Sequence, residues 1–421
     1  MGVKAQAKPV PGQQISVAQQ QAMRVDGMLP AKIMQPGDAE EAARQLLLCD
    51  RAGARVVVWG GGTQICVGSR PRQYDVAFSM QGMTRLLEYE PGDLTCRVEA
   101  GMPVDVLQAA LRARGQRLPL DPPHPERATV GGMVAANSNG LSRARYGTVR
   151  DWVIGIAVAY PSGTVARAGG KVVKNVAGYD LMKLHAGAYG TLGVIVEINL
   201  KVQTMPEAQD TVLAHFEEQP SALRAGLELA HHYLAPAAMV VMDRAALWQC
   251  GVTADWPWTL ALKFEGYSRE IEPARQAAGS TIQAAGGRLE GLAVPEGFWQ
   301  QARDWAAPDG ESEVLLYAMT SLSDLQAVAA VAGESGSCMV QPAAGVFHAR
   351  IAPESAALVI ERLRRVAGED GHIVVLRAPT ALKQNLDVWG PPPASLPLMR
   401  SIKQALDPNA TLNPGRYMGG I

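Results

Sequence analysis

Apolar positions in this chain come in short runs, and the spacing within each run predicts its element. Asp38, with Glu41 three residues on, reads as an N-cap and its capping-box partner. The helix it opens runs through Leu46 and Leu47 and stops at Gly53. Residues 55–59 (RVVVW), apolar from Val56 on, predict a buried strand. Residues 86–89 and 94–99, joined through Pro91-Gly92-Asp93, predict a hairpin, and Pro103 opens a helix that Gly115 closes. The proline-rich stretch 119–125 cannot be helical. A second hairpin spans 153–166, turning at Pro161-Ser162-Gly163. After Pro206 the pattern becomes strand and helix in alternation. Strands are expected at 212–216, 238–242, 259–265 and 315–320, with helices near 222–233 and 270–285 and another after residue 320. The last segment, 401–417, holds a short helix ended by Asp407-Pro408-Asn409 and then the turn Asn413-Pro414-Gly415. Residues 1–25 carry no sustained apolar period and read as a flexible extension. An α+β domain follows over 26–204, then a cap, substrate or partner domain over 205–395 and a C-terminal segment over 396–421.

Three glycine-rich stretches interrupt the first half: 59–68 (WGGGTQICVG), 129–140 (TVGGMVAANSNG) and 187–195 (GAYGTLGVI). Backbone free of side chains can turn its N–H groups toward an anion, so such loops suit a phosphate-bearing cofactor. Three of them within one domain suggest a long ligand held at several points. Taken singly, each is more often a plain turn. The first loop is not a P-loop, since no Gly-Lys-Ser/Thr follows it. Nor is it a Rossmann fingerprint, because Gly60 and Gly62 are followed by Ile65 where the third glycine belongs.

Composition narrows the function further. A length of 421 residues favours two domains. The 39 basic and 40 acidic residues, net −1, give no reason to expect nucleic acid or an anionic membrane as partner. Five scattered cysteines (Cys49, Cys66, Cys96, Cys250, Cys338) form no CxxC pair, which argues against an iron–sulfur site or disulfide framework and fits a reducing cytoplasm. The apolar runs are far below membrane-spanning length, and the glutamine-rich start lacks a signal-peptide core, so the chain reads as soluble.

The order GGGTQ, DPPHPERATVGGMVAANSNG, ARYG, NVAGYDLMKLHAGAYGTLGVIVEINLKV and a closing NPGRY resembles the flavoprotein family named for vanillyl-alcohol oxidase and para-cresol methylhydroxylase (PCMH). Within it, KNVAGYDL and LNPGRY are most similar to the FAD-binding E subunits of bacterial glycolate oxidases. The resemblance implies an α+β fold: a two-part PCMH-type FAD-binding domain, an α+β cap, and a C-terminal tail returning to the FAD domain. It implies that Gly60, Gly61, Gly62, Thr63 and Gln64 wrap the FAD pyrophosphate through backbone N–H groups. Thr129, Val130, Gly131 and Gly132 would form a second clamp, continued by Ala136, Asn137 and Gly140. Tyr146, Gly147 and the run Gly190, Gly193, Val194, Ile195 would line the flavin and adenosine ends, with Asp121 as a further contact. Implied partners are an FAD-bearing catalytic subunit, an iron–sulfur subunit and a small 2-hydroxy acid substrate. The location would be cytoplasmic, or peripheral at the inner membrane through those subunits.

Residues 60–68 contain no histidine, so the FAD is expected to be non-covalent, and Cys66 reads as a small buried thiol. Oxidising a 2-hydroxy acid needs a base for the hydroxyl proton and a cation for the carboxylate. The seven histidines (His124, His185, His215, His231, His232, His348, His372) contain no close metal-ligand pattern, and His231 and His232 point to different helix faces. His348 and Tyr179 are the candidate proton acceptors, Arg350 and Arg377 the candidate carboxylate ligands, each weighed against a purely structural role. Tyr179-Asp180, Lys171 and Lys174 read equally as loop ties and solvated charges or as neighbours of the cofactor. Three functions follow: an FAD-binding subunit of a glycolate oxidase complex that passes electrons to a partner, a free-standing FAD-dependent 2-hydroxy acid dehydrogenase, or a scaffold subunit with little flavin role.

Overall fold

The β-branched run Val56–Trp59 pairs in parallel with Val76–Ser79, which pairs in parallel with Lys32–Met34. This is the start of the first lobe in a computed structural model that describes residues 11–170, 180–231, 236–289, 294–308 and 312–421. Parallel neighbours need a crossover, and the helix Ala39–Ala52 supplies one. Asp38 caps that helix by accepting the Glu41 N–H at 2.6 Å, and Gly53 ends it at φ 71°. The Glu41 carboxylate takes the N–H of Gly37 at 2.8 Å, so the reciprocal half of the capping box is displaced by one residue.

A second, antiparallel sheet runs in the order Leu86–Glu90, Thr95–Glu99, Val194–Lys201, Val153–Ala159, Val165–Gly169. Both predicted hairpins lie at its edges. Val153–Ala159 is buried at every position, as expected for a strand covered on both faces. One apolar core, containing Leu46, Val56, Phe78, Val98, Val134 and Ile198, unites the two sheets.

The second lobe is an eight-stranded antiparallel sheet. Its order is Arg288–Leu289, Ala208–Phe216, Trp258–Gly266, Ala238–Asp243, Gly336–Gln341, Val346–Ile351, Val314–Met319, His372–Arg377. Strand alternation splits its side chains between two cores. Met239 and Val241 face helices that include Gln219–Ala230 and Leu325–Ser335. Val240 and Met242 share the opposite core with Leu247, Phe298 and, from the first lobe, Leu141.

Residues 11–25 depart from the expected extension. Gln13–Gln14 pairs with the strand at 32–33, Val17–Ala22 is a helix capped by Ser16 and Gln19, and Val25 is 1% exposed. The helix expected near 222–233 ends at Ala230, and residues 232–235 lie outside the described residues.

Among the contacts that join the lobes, two are built around buried charges. The first is a buried carboxylate, Glu265, whose Oε2 accepts from Arg117 Nη2 (2.7 Å) and Tyr146 Oη (2.9 Å) while Oε1 pairs with Lys263 Nζ (2.6 Å). Burial would raise the Glu265 pKa, but the hydrogen bonds and charges of Arg117 and Lys263 outweigh it and bring it down to about 2. The second is the C-terminal tail. After the helix Leu396–Leu406 the chain runs beside Val56, whose N–H reaches Thr411 O and whose carbonyl accepts from Asn413 N, both at 2.8 Å. Lys403, 8% exposed, donates from Nζ to Asp407 Oδ2 (2.6 Å), Thr191 O (2.7 Å) and Leu412 O (3.0 Å), so this buried cation has a full set of acceptors.

Glu265→Gln tests the junction. It removes one member of a buried charge cluster and is expected to cost about 3 kcal/mol at neutral pH by denaturant unfolding. Because the folded pKa of about 2 lies below the ordinary 4.5, the carboxylate's contribution is present above about pH 4.5 and fades toward pH 2. The gap between wild type and variant should close over that window.

Candidate functional site

Between the lobes runs a cleft of three connected segments that share lining residues. The strand Val56–Trp59 delivers the chain into the first segment, a space of about 620 Å³ lined by residues 60–65. Among the described residues, none of the backbone N–H groups of Gly60, Gly61, Gly62, Thr63 and Gln64 has a protein acceptor. The first loop residue to donate is Ile65, to Gly62 O at 3.2 Å. A row of free N–H groups facing a cleft is an anion cradle. The loop has to be glycine where backbones cross: a Cβ on Gly61 would overlap Arg127 O, and Gly62 sits at φ 76°.

The second glycine stretch works differently. Thr129 caps the short helix Val130–Ala136 through the Gly132 N–H (3.1 Å), while Val130 N and Gly131 N donate to Met102 O (2.8 Å) and Ala100 O (2.7 Å). Its leading N–H groups are therefore engaged within the protein. Gly131 is needed for the close approach to Ala100, which leaves a Cβ 2.5 Å from that residue's own Cβ. Thr129, Gly132 and Ala136 line the first segment, whereas Val130 is wholly buried in the core. Asn137, at φ 48°, and Gly140 line the wide chamber, and Gly190, Gly193, Val194 and Ile195 line the third segment.

Three expected residues face elsewhere. Asp121 accepts from Leu141 N (3.2 Å) and from Ser142 N and Oγ (3.4 and 3.3 Å), so it latches the turn beyond Gly140. Burial raises its pKa against the pull of Lys263 and those N–H groups. Tyr146 belongs to the Glu265 cluster, and Gly147, at φ 83°, ends its helix against Asp151. Tyr179, Lys171 and Lys174 lie outside the described residues, as does His232.

The second segment is a wider chamber with walls from both lobes. Among the described residues its lining includes Arg143, Arg150 and Arg303 and no carboxylate. Arg143 Nη1 donates to Tyr317 Oη at 3.1 Å, and Arg303 is held by Asp304 (2.8 and 2.9 Å). His348 stands in the same wall, opposite Tyr317 across the strands, their rings 5.3 Å apart and inclined at 62° in an edge-on contact. It is 7% exposed, and its Nδ1 is buried with no hydrogen-bond partner among the described residues. Burial, then the charges of Arg143 and Arg350, lower its pKa to about 3 and leave the imidazole neutral. His372 also lines the chamber. The other candidate cations serve the structure: Arg350 donates to Trp305 O (2.7 Å) and Ala307 O (3.3 Å), and Arg377 to Pro308 O (2.8 Å). Cys66 is half-buried, with its Sγ directed at Pro308 O (3.7 Å) and Leu376 O (3.9 Å), and burial raises its pKa.

Where the segments meet stands an aromatic cluster that sequence reasoning missed. Tyr189 lies 5.4 Å from Trp389 and 5.8 Å from Tyr417, with Trp389 and Tyr417 4.9 Å apart. Tyr189 adopts φ 50°, a conformation a bulky residue rarely takes, and donates its N–H to Ala135 O at 2.8 Å. Its place between Ala188 and Gly190 in the third glycine stretch was the one available signal. Arg143, Arg150 and Arg303 gave none, being ordinary surface-type residues in sequence.

This geometry is that of a PCMH-type FAD-binding fold. The structure of p-cresol methylhydroxylase superposes with a TM-score of 0.67 at 16% identity, covering 92% of this chain and 88% of that one. An FAD binding domain profile matches residues 30–169, and the C-terminal domain profile of FAD linked oxidases matches 205–333 and 391–417. Glycolate oxidase subunit GlcE of Escherichia coli is 32% identical over 338 residues, 79% of this chain and 84% of that protein. Glycolate oxidase subunit GlcD of Bacillus subtilis is 32% identical over 219 residues, which is 52% of this chain and 47% of that protein, about half its length. The chain belongs to the FAD-linked oxidase family and is an FAD-dependent oxidoreductase. Among the described residues no helix is long and apolar enough to cross a membrane.

Two substitutions probe the site. Gly61→Ala leaves no room for the loop against Arg127 O and is expected to abolish flavin retention, read as the ratio of flavin to protein absorbance, with far-ultraviolet circular dichroism checking the fold. His348→Gln is expected to flatten the acid side of the stability profile. With a folded pKa of about 3 against 6.5, the unfolded chain takes up the proton first, so His348 withdraws stability as pH falls from about 6.5 toward 3. The slope is at most about 1.4 kcal/mol per pH unit.

Proposed function

We propose that the chain is the FAD-binding subunit of a glycolate oxidase type of complex and that its own chamber takes the 2-hydroxy acid. The observation that carries this reading is the cationic chamber opening onto the FAD cleft, with a neutral imidazole in its wall. A small hydroxy acid presents a carboxylate, which Arg143 and Arg150 would hold together with the part of Arg303 that its pair with Asp304 leaves free, and a hydroxyl, whose proton needs an acceptor.

The chemistry divides among named residues. The N–H groups of residues 60–64 hold the FAD diphosphate, with Thr129, Gly132 and Ala136 beside it and Gly190, Gly193, Val194 and Ile195 along the third segment. FAD held there non-covalently would supply the acceptor for the hydride that leaves substrate C2. Arg143 and Arg303 bind the carboxylate and orient C2. The His348 imidazole takes the hydroxyl proton as the C2=O bond forms. Its low pKa is part of this scheme: the Arg143 charge helps depress it, and a bound carboxylate neutralises that charge. The base therefore strengthens once substrate is present.

Similarity to two different glycolate oxidase subunits supports a place in a multi-subunit complex. In this reading electrons pass on to an FAD-bearing subunit and an iron–sulfur subunit, in the cytoplasm or at the inner membrane surface. A second reading, a free-standing 2-hydroxy acid dehydrogenase, is favoured by one fact: both walls of the chamber come from this one chain. A scaffold role fits poorly with five free N–H groups lining a cleft.

Reduction of the bound flavin by glycolate, followed by stopped-flow absorbance in the isolated chain, tests the reading. Arg143→Gln is expected to raise the glycolate concentration for half-maximal reduction roughly tenfold or more, and His348→Asn to slow reduction about a hundredfold. Glycolate-independent absorbance in the wild type, with the flavin fully reducible by dithionite, would remove the substrate role. Recovery of the tagged chain with a second flavoprotein and an iron–sulfur protein separates the complex from the free-standing enzyme.

A further inference from the structure

Arg416, in the turn that closes the chain, has no role in the scheme above, yet its surroundings are those of an anion ligand. Its backbone carbonyl accepts from Ser69 N and from the Trp389 indole N–H, both at 2.9 Å, which fixes it between the first glycine loop and the second lobe. Its side chain passes beneath that loop, where Nη2 donates to Ile65 O and to Val67 O (2.8 Å). The residue is 6% exposed, and Nη1 has no hydrogen-bond partner among the described residues.

A buried guanidinium with an unused donor is costly unless a negative charge meets it. The carboxylate whose charge favours it most is Asp26, but Asp26 Oδ1 is already committed to Lys383 Nζ at 2.7 Å in a pair that is itself buried. The three charges leave one positive charge without a counterpart. Among the described residues Arg416 is also the single charged side chain lining the first cleft segment, the space lined by residues 60–64 with their free N–H groups. Two independent features, one at each end of the sequence, thus require an anion in one place. The anionic part of FAD is its diphosphate.

We propose that Arg416 is the counter-charge of the FAD diphosphate, so that the C-terminal turn forms part of the cofactor site. This rests on the assignment of residues 60–64 to the phosphates. Arg416 does two things at once: its carbonyl-bound Nη2 sets the far side of the glycine loop, and its remaining donor and charge meet the ligand. Lysine has a single ammonium and cannot keep both loop carbonyls and a phosphate in the same geometry.

The test uses the full-length apoprotein and two fragments of the cofactor. ADP carries the diphosphate without the flavin, and riboflavin carries the flavin without phosphate. Arg416→Met is expected to weaken ADP binding about ten- to hundredfold by calorimetry. Arg416→Lys should recover part of the loss, and riboflavin affinity should not change in either. Equal ADP affinity in folded Arg416→Met and wild type overturns the proposal, as does an equal loss for riboflavin and ADP. Should Arg416→Met fail to fold, the wild type decides: the Arg416 guanidinium nitrogen resonances must shift on adding ADP, and unmoved resonances overturn the proposal. Gly61→Ala keeps the two readings apart. If it loses ADP while Arg416→Met does not, the loop holds the phosphates and the arginine does not.

Discussion

The paired hydrogen bonds between Val56 and the tail at Thr411 and Asn413 are the constraint on which the site depends. They add the chain's last extended segment to the strand that feeds the first glycine loop. Asn413 extends the tie: its side chain accepts from Val58 N (3.3 Å) and donates to Tyr189 O (2.9 Å), joining strand, tail and third glycine stretch. The buried Lys403–Asp407 pair rigidifies the segment just before it, with Asp407 also accepting the N–H groups of Thr411 and Leu412 at 2.9 and 2.8 Å. The loop is thus held from both sides while its own N–H groups stay free for a ligand, a case of donors pre-arranged before binding.

Glycine serves two distinct purposes in this cleft. In the first loop its absent side chain lets backbone donors face outward. In the second stretch, Gly131 lets a helix start press against Ala100, and the donors there are consumed by that packing. The division leaves one stretch to bind and another to shape the wall. The Tyr189 backbone strain fits the same economy, since a left-handed tyrosine is retained where neighbouring contacts over-determine it.

Much of this was legible in sequence because it rests on local rules. The cap at Asp38, the stop at Gly53, the turn at Gly163 and the loop at 60–64 each depend on a few adjacent residues. What escaped depends on pairing at a distance. The second lobe's sheet has twice the four strands read from periodicity, because short edge and interior strands such as Arg288–Leu289 and Gly336–Gln341 are defined by their partners rather than by composition. Asp121 and Tyr146 were placed at the cofactor by their neighbours in sequence, whereas their polar atoms are spent on Ser142 and Glu265. The arginines of the chamber come from three separate elements and carried no local pattern.

The tail's place in the first sheet has a bearing on biosynthesis. Val58 and Asn413 meet across 355 residues, so the strand that positions the cofactor loop lacks this neighbour until Asn413 has left the ribosome. The N-terminal lobe can collapse early, but its nucleotide cradle stays half-built through translation. Flavin capture therefore waits on the synthesis of residues 411–413.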